Sequence, residues 1–255
     1  ICQHLGEVEK SCDFCLKHKS RETPHRKIGM PLGCCFNDVV AMELKKLSSS
    51  DWIVHFVDTV TRFSVACPVK DKSAEEILTK TFISWISVFG RPNCFISDNG
   101  GEFVNQQFAE MCQLMDVATK TSPAESPWCN GTVERHNGIL GQMIEAIMEE
   151  TKCNVDIAVS WATNAKNSLN NVWGFSPHQL VFGQNPKIPS LLNEEVKLSM
   201  LNEHTVSKTV ADHLTALTTA RKKFVELENS NRLKRALQDR VYEAATDMKY
   251  VSGDR

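Results

Sequence analysis

Two acidic residues in the middle of the chain stand in motifs that could do chemistry together. Asp98 lies in the sequence SDNGGEF, Glu134 lies in the sequence NGTVERHN, and 35 residues separate the two acids. Hard cations such as Mg²⁺ bind oxygen ligands, and two such ions about 3.5–4 Å apart can serve both oxygens of a phosphoryl transfer. An Asp and a Glu brought together by the fold would therefore predict a divalent-metal site, which is one way to support such a transfer.

The sequence around each acid predicts a rigid support for it. Residues 94–97 are typical of a short buried strand, and the turn signal at 99–101 puts Asp98 at the carboxyl end of that strand, where ligands gather in open α/β sheets. Apolar residues at helical spacing follow Val133, so Glu134 lies in the first turn of a helix that Asn130 could cap. Either acid alone is most often an ordinary surface residue, but the two motifs together favour the functional interpretation.

Composition indicates a globular chain with a core of ordinary size. The 255 residues are 42% hydrophobic and 24% charged, with a net charge of −2. No apolar run approaches the roughly 20 residues that span a bilayer, and the start shows no secretory signal, so we expect no membrane partner. The first residue is Ile1, which leads us to expect a fragment or a processed piece. The net charge argues against a strongly basic DNA-coating protein but allows a local basic groove.

The ten cysteines have no disulfide-framework spacing. Cys12 and Cys15 form a Cys-x-x-Cys pair, which is half of a zinc site, although two free thiols in a frayed terminus explain the pair equally well. The other cysteines considered lie mostly in apolar contexts and predict small core residues in a reducing, intracellular compartment. They are Cys34, Cys35, Cys67, Cys94, Cys112, Cys129 and Cys153.

Periodicity predicts alternating strands and helices. The predicted strands are 36–44, 53–57, 63–69, 94–97 and 117–121, and the predicted helices are 73–89, 105–115, the helix after Val133, 155–169 and 205–240. We read the aromatic stripe of the helix at 73–89 as core and the basic runs of the last helix mainly as a solvated face. The segment 122–131 is rich in Ser, Pro, Asn and Gly, which predicts one of the most mobile loops.

The order βββαβαβα and the two acidic motifs resemble the core of retroviral and retrotransposon integrases. Asp98 and Glu134 match the last two carboxylates of the family's DD(35)E triad, and residues 174–183 resemble the GxSPxxLxFG segment of gypsy-type LTR retrotransposon integrases. The resemblance implies an α/β fold, with a ribonuclease H-like mixed sheet flanked by helices and additional C-terminal helices.

The resemblance also divides the chain into five parts. The expected parts are a remnant of an N-terminal zinc-binding domain with its linker (1–27), the catalytic core (28–150), a following helix with the GxSPxxLxFG segment (151–200), a long helical segment (201–246) and the truncated start of a C-terminal β-barrel (247–255).

The triad requires a third carboxylate on the first strand, and Asp38 and Glu43 are the candidates. Residue type favours Asp38, because the family has Asp at this position. Geometry favours Glu43, because a hairpin turn near Ser49 places Glu43 opposite residue 55 and Asp38 opposite residue 60, beyond the second strand. We therefore assign the position to Glu43, in a sequence that resembles VAMDL with Glu in place of Asp; Asp58 is read as structural.

The resemblance implies a metal-dependent polynucleotidyl transferase that trims the 3′ ends of element DNA and joins them to target DNA. Glu43, Asp98 and Glu134 would bind two Mg²⁺ or Mn²⁺ ions, and Cys12 and Cys15 would belong to a Zn²⁺ site that is incomplete here. Double-stranded DNA, a homo-oligomer and a nuclear location are also implied. Candidate DNA contacts are Asn130, Arg135 and His136.

The presence of Glu43 instead of the expected Asp supports a second hypothesis. The longer side chain would displace a metal, and a small misplacement can cost about 10²-fold in rate. The chain could therefore be a catalytically weakened or domesticated retrotransposon-derived protein that binds DNA or a partner. A metal-dependent ribonuclease of the same fold is a third option, but it explains neither the Cys12–Cys15 pair nor the 174–183 segment.

Overall fold

The computed structural model of the chain describes residues 33–47, 51–121, 131–187 and 207–243, all within the compact unit Pro31–Arg255. Several predicted features lie outside these ranges: the Cys12–Cys15 pair, Cys129, the Asn130 cap, most of the predicted mobile loop and the start of the β-barrel. The side chains of residues 131–134 are also outside the description, although the helix that contains them is not.

The sheet has five strands in the order β3-β2-β1-β4-β5. Antiparallel pairing joins β1 (Val39–Lys46), β2 (Trp52–Asp58) and β3 (Ser64–Val69) into a meander. Parallel pairing adds β4 (Cys94–Ser97) next to β1 and β5 (Ala118–Thr121) at the edge. The sheet is mixed, as expected for the predicted fold class, and β1 lies at its centre.

The helices of the described ranges follow the predicted positions closely. Helix α1 begins at Ala74–Thr81, continues through a π-helical turn at Phe82–Ile86 and ends with Ser87–Phe89. The others are α2 (Gln106–Leu114), α3 (Gly131–Thr151), α4 (Val155–Leu169), α5 (Pro177–Phe182) and α6 (Lys208–Glu243). Side-chain oxygens of Ser73, Asn105, Asn154 and Ser176 cap α1, α2, α4 and α5 by accepting from a backbone N–H of the first turn.

Two hydrophobic clusters lie on opposite sides of the sheet. The aromatic face carries Val40, Met42 and Phe95 of the strands and is covered by α1 and α2, with Trp85 and Phe108 at its centre. The α3 face carries Ile53 and is covered by α3 and α4, and α6 packs against these two helices; the buried residues are mostly Leu, Ile, Met and Ala. The fold is therefore a three-layer arrangement of helices, sheet and helices.

Strand β1 starts later than predicted and runs through part of the predicted turn. Residues 36–38 belong instead to a turn in which the Asp38 carboxylate accepts hydrogen bonds from the backbone N–H groups of Cys34 and Cys35 (2.7 and 2.9 Å). Cys34 and Cys35 are exposed in this turn, so their prediction as core residues is wrong. Cys94 and Cys112 are buried as expected.

Two helices each leave an aromatic side chain partly exposed. Phe82, expected in the core, is 39% exposed because the π-helical turn that begins there changes the register of α1. In α4 the deepest residues are Ala158, Ala162 and Ala165, which leaves Trp161 only half-buried. Within the part of the chain that the structure describes, none of the helices combines the length and apolarity needed to cross a membrane.

Candidate metal and active site

Glu43 lies in the central strand, opposite His55 of β2. This Cα pairing is the one that the hairpin count predicts, and it is confirmed. The Glu43 side chain is half-buried, and its Oε2 atom is shielded from solvent.

The pairing of β1 with β4 brings Glu43 to the height of Asp98. Val39 pairs with Cys94 and Ala41 with Ile96, so continuing the same parallel register by two residues pairs position 43 with position 98. Asp38 lies at the other end of both strands, where its Oδ1 accepts a hydrogen bond from Asn93 Nδ2 (2.9 Å). At about 3.3 Å per residue, the five residues from 38 to 43 amount to about 16 Å along the strand.

Glu43 and Asp98 also share a side of the sheet. Val40 and Met42 belong to the aromatic face, so alternation turns Ala41, Glu43 and Lys45 towards the α3 face. The Lys45 side chain confirms this direction, since it lies directly against Gly141 of α3. In β4, Phe95 belongs to the aromatic face and Ile96 points the other way, which assigns the position of Asp98 to the α3 side as well.

Asp98 is exposed and is oriented by the turn that follows it. Its Oδ1 atom accepts a hydrogen bond from the backbone N–H of Gly100 (3.1 Å), and the carbonyl of Gly100 accepts from Phe103 and Val104 (3.0 and 2.9 Å). The exposed carboxylate of Asp98 therefore lies just past the carboxyl end of β4, where a divalent cation could bind it.

Glu134 is the fourth residue of α3, and its side chain is outside the description. Asn137 follows three residues later, and positions three apart lie on the same side of a helix. Asn137 is buried against the sheet through a hydrogen bond to His55, the β2 partner of Glu43. The first turns of α3 therefore cross the sheet at the height of Glu43.

Two of the three candidate carboxylates are thus described: Glu43 in β1 and Asp98 just past the end of β4, with both positions assigned to one side of the sheet. Among the side chains that the structure describes, no three His, Cys, Asp or Glu residues form a ready metal-binding group. A complete site of this kind would need the carboxylate of Glu134.

Comparison with known proteins identifies the domain. The sequence matches the family described as the integrase core domain over residues 30–127, a range that contains Glu43, Asp98 and all five strands.

The chain carries an integrase core domain.

Relatives of this integrase core include proteins of viruses and of transposons. The retrovirus-related Pol polyprotein from transposon 412 of Drosophila melanogaster is 26% identical over 158 residues, which cover 62% of this chain and 13% of that polyprotein. The Gag-Pro-Pol polyprotein of human T-cell leukemia virus 2 is 29% identical over 123 residues, which cover 47% of this chain and 8% of that polyprotein. The chain thus spans a small part of each relative. These relatives are polyproteins of a retrovirus and of a transposon, and the gypsy-type origin of this chain stays a prediction.

Solved structures share the fold of this integrase core. The simian T-cell lymphotropic virus intasome in complex with PP2A regulatory subunit B56 gamma aligns with a TM-score of 0.57 and 24% identity, over 74% of this chain and 70% of that chain. The trimeric form of the HTLV-2 integrase catalytic core domain in complex with magnesium aligns with a TM-score of 0.51 and 24% identity, over 58% of this chain and 98% of that chain. The predicted ribonuclease H-like fold is therefore confirmed.

The structure also places the other acidic and basic candidates. Asp58 is fully buried and accepts hydrogen bonds from the N–H groups of Asn37 and Thr61 and from the Thr61 hydroxyl (3.0, 2.6 and 2.7 Å), which fits the structural role predicted for it. Arg135 is exposed on α3, next to the position of Glu134. His136 turns its Nδ1 atom inward, and burial lowers the pKa of its imidazole, so it is neutral at working pH.

The sequence reasoning missed a buried polar network on the α3 face of the integrase core. His55 forms a hydrogen bond with Asn137, and Lys166 of α4 donates one to the Ser64 hydroxyl of β3. Burial lowers the pKa of His55 to about 3 and that of Lys166 to about 7. One sequence signal was available, since His55 interrupts the otherwise apolar run of β2, but nothing local identifies a partner 82 residues away.

Proposed function

We propose that this protein is a divalent-metal-dependent polynucleotidyl transferase, which trims the 3′ ends of element DNA and joins them to target DNA. The observation that supports the proposal is the register of β1 with β4, because continuing it past Ile96 brings the positions of Glu43 and Asp98 level with each other on one face. The helix that contains Glu134 begins on that same face. Residues of this type at three converging positions suit phosphoryl transfer.

The donor set fits hard divalent cations. Glu43, Asp98 and Glu134 would supply carboxylate oxygens, which Mg²⁺ and Mn²⁺ prefer, and the related HTLV-2 core is described as a complex with magnesium. When bound, two such ions would activate an attacking oxygen and stabilise the leaving one. The soft pair Cys12 and Cys15 suits Zn²⁺ instead, and we propose it for the separate N-terminal site.

The remaining residues of the site would orient the acids and bind DNA. The Gly100 N–H fixes one oxygen of Asp98, and the central position of β1 between β2 and β4 holds Glu43 in place. The exposed guanidinium of Arg135 could bind a phosphate beside Glu134, with His136 and Asn130 as weaker candidates. Double-stranded DNA, a homo-oligomer and a nuclear location belong to this proposal.

A second candidate function has one observation in its favour. The position level with Asp98 carries Glu43, which is one methylene longer than the Asp that the family resemblance implies. A metal displaced by that length would lose in-line geometry. The chain would then be a weakened or domesticated relative that binds DNA without joining it.

Strand transfer by the full-length protein with Mg²⁺ or Mn²⁺ tests the two functions. We expect Asp98→Asn to abolish the reaction and Glu43→Asp to raise its rate by about 10- to 100-fold, because the shorter side chain returns its oxygens to in-line geometry. Asp38→Asn is the matched control, since Asp38 flanks the same strand at its other end, and it should leave the rate unchanged.

The opposite pattern, with Asp38→Asn inactive and Glu43→Asp neutral, would overturn the assignment of Glu43. A wild-type protein and a Glu43→Asp variant that both bind DNA but never join it would favour the second function.

A further inference from the structure

The α3 face holds one buried hydrogen bond that connects the helix of Glu134 to the strand next to Glu43. We infer that His55 and Asn137 are positioning residues, which fix the first turns of α3, and with them Glu134, over β1 and β2. The inference rests on the proposed function, because it assigns the pair a task in assembling the proposed metal site.

The pair is deeply buried and bridges distant parts of the chain. His55 is 0% exposed and Asn137 is 3% exposed, and the Nδ1–H group of His55 donates to Oδ1 of Asn137. His55 is the direct cross-strand partner of Glu43. One end of the hydrogen bond therefore lies beside the first candidate carboxylate, and the other end lies three residues after the third.

Asn137 is the deepest side chain of its part of the helix. Among residues 135–139 it alone is buried, whereas the fully buried apolar side chains described in α3 are Leu140, Met143, Ile144 and Ile147. Apolar contacts are non-directional and tolerate a shift of the helix along the sheet. A hydrogen bond has narrow limits of distance and angle, so it can fix the position of the first turns of α3 along the sheet.

His55 and Asn137 each rely on the other for a hydrogen bond, so the bond favours one position of α3 over the sheet. Among the residues that the structure describes, none forms a hydrogen bond with the second nitrogen of the His55 ring or with the amide nitrogen of Asn137. A shift of α3 that breaks the bond would leave both residues buried and unsatisfied, and each such group costs about 1–3 kcal/mol. The His55 imidazole stays neutral at working pH, since burial holds its pKa near 3.

The functional consequence concerns metal affinity more than stability. Some residues position metal ligands without binding the metal themselves. Replacing such a residue typically lowers metal affinity by about 10- to 100-fold. We expect Asn137→Ala to raise by that factor the Mg²⁺ concentration that gives half-maximal strand transfer, with the KM for DNA unchanged.

Asn167→Ala is the matched control. Asn167 is similarly buried (5% exposed) and also joins a helix to the sheet, because its side chain exchanges hydrogen bonds with the backbone of Ser64 in β3 (2.9 and 2.8 Å). Asn167 lies in α4, and these two hydrogen bonds connect it to β3 and not to α3 or β1. Its loss should lower Tm about as much as Asn137→Ala does, without changing the Mg²⁺ dependence.

The double variant His55→Phe/Asn137→Leu separates positioning from stability. Replacing both partners of a buried hydrogen bond by apolar groups is often nearly neutral for folding, so its Tm should stay near that of the wild type. Its Mg²⁺ dependence should nevertheless be weakened by about 10-fold or more. A double variant with wild-type Tm and wild-type Mg²⁺ dependence would overturn the inference.

Amide hydrogen exchange gives a readout that does not depend on catalysis. The amides of Gly138, Ile139 and Leu140 should exchange faster in Asn137→Ala and in the double variant than in Asn167→Ala. Unchanged exchange at these amides would overturn the positioning role even if the wild type were active. A wild type without metal-dependent activity, combined with faster exchange in the two variants, would overturn the proposed function and keep the positioning of α3.

Discussion

The two faces of the sheet are built differently. The aromatic face is closed almost entirely by apolar side chains, with Trp85 packed against the rings of Phe36, Phe56 and Phe89. The α3 face also has a large apolar cluster, but it buries His55, Asn137 and Lys166 within the same layer. The positions of Glu43 and Asp98 are assigned to this second face. Stability and site construction are thus divided between the two sides of one sheet.

The largest expected effect is the loss of the central side chain of the aromatic face. Trp85 is fully buried, and its indole N–H donates to Asn37 Oδ1 (2.8 Å). We expect Trp85→Ala to lower the free energy of unfolding by about 3–5 kcal/mol, because it leaves a cavity and removes this bond. Urea unfolding measures the change.

The matched variant on the other side is Trp161→Ala in α4. Trp161 is only half-buried, and its indole N–H donates to His213 of α6 (3.0 Å). We expect Trp161→Ala to lower the free energy of unfolding clearly less than Trp85→Ala does. Equal losses of unfolding free energy would contradict the assignment of the main stabilising core to the aromatic face.

A smaller effect should appear in the pH dependence of stability, and it should arise from the α3 face. Lys166 is buried beside Ser64, with Arg62 nearby, and its pKa falls from 10.5 unfolded to about 7 folded. Between these values the unfolded chain binds more protons, so stability should rise with pH, by at most about 1.4 kcal/mol per unit. We expect Tm to rise from pH 7 to pH 8.5.

The variant Lys166→Met tests the source of this rise. It removes the titrating group, so Tm should be higher than that of the wild type at pH 7 and flat up to pH 8.5. Lys80→Met is the control, because Lys80 on α1 is partly exposed and paired with Glu76 (3.8 Å). A rise that persists in Lys166→Met and disappears in Lys80→Met would refute the assignment.

The smallest effect should be the same on both faces. Asn105 caps α2 on the aromatic face, and Asn154 caps α4 on the α3 face, each through a side-chain oxygen that accepts a backbone N–H (2.9 and 3.0 Å). Replacing either by Ala should cost about 1 kcal/mol in urea unfolding. Asp156→Ala is a control near one cap that leaves the capping bond intact. If the two substitutions lowered the free energy of unfolding by amounts that differ by several kcal/mol, the helix caps would also contribute differently on the two faces.

Much of the fold could be predicted because its signals are local. The strand at 94–97 and the helix at 155–169 have the predicted bounds, since turn and cap residues mark their ends. The position of Glu43 opposite His55 follows from the length of one hairpin. The π-helical turn of α1 has no such mark, and it moved Phe82 out of the core.

The candidate site was predictable only in part. Motif and spacing identify Asp98 and Glu134, and the strand position favours Glu43. The capping role of Asp38 depends on a turn that alternation does not reveal. The buried bonds of His55 and Lys166 join residues 82 and 102 positions apart, and only the folded chain brings such residues together.

The central position of β1 also sets the order in which the chain can assemble during synthesis. The meander β1–β2–β3 is complete at Val69, but β4 begins at Cys94, and the fully buried apolar side chains described in α3 lie between Leu140 and Ile147. At about 5–20 residues per second, translation of the intervening residues takes on the order of ten seconds. During this interval the α3 side of the nascent meander has no cover. Glu43, Lys45 and His55 interrupt that surface, and polar interruptions of this kind protect uncovered strands from aggregation.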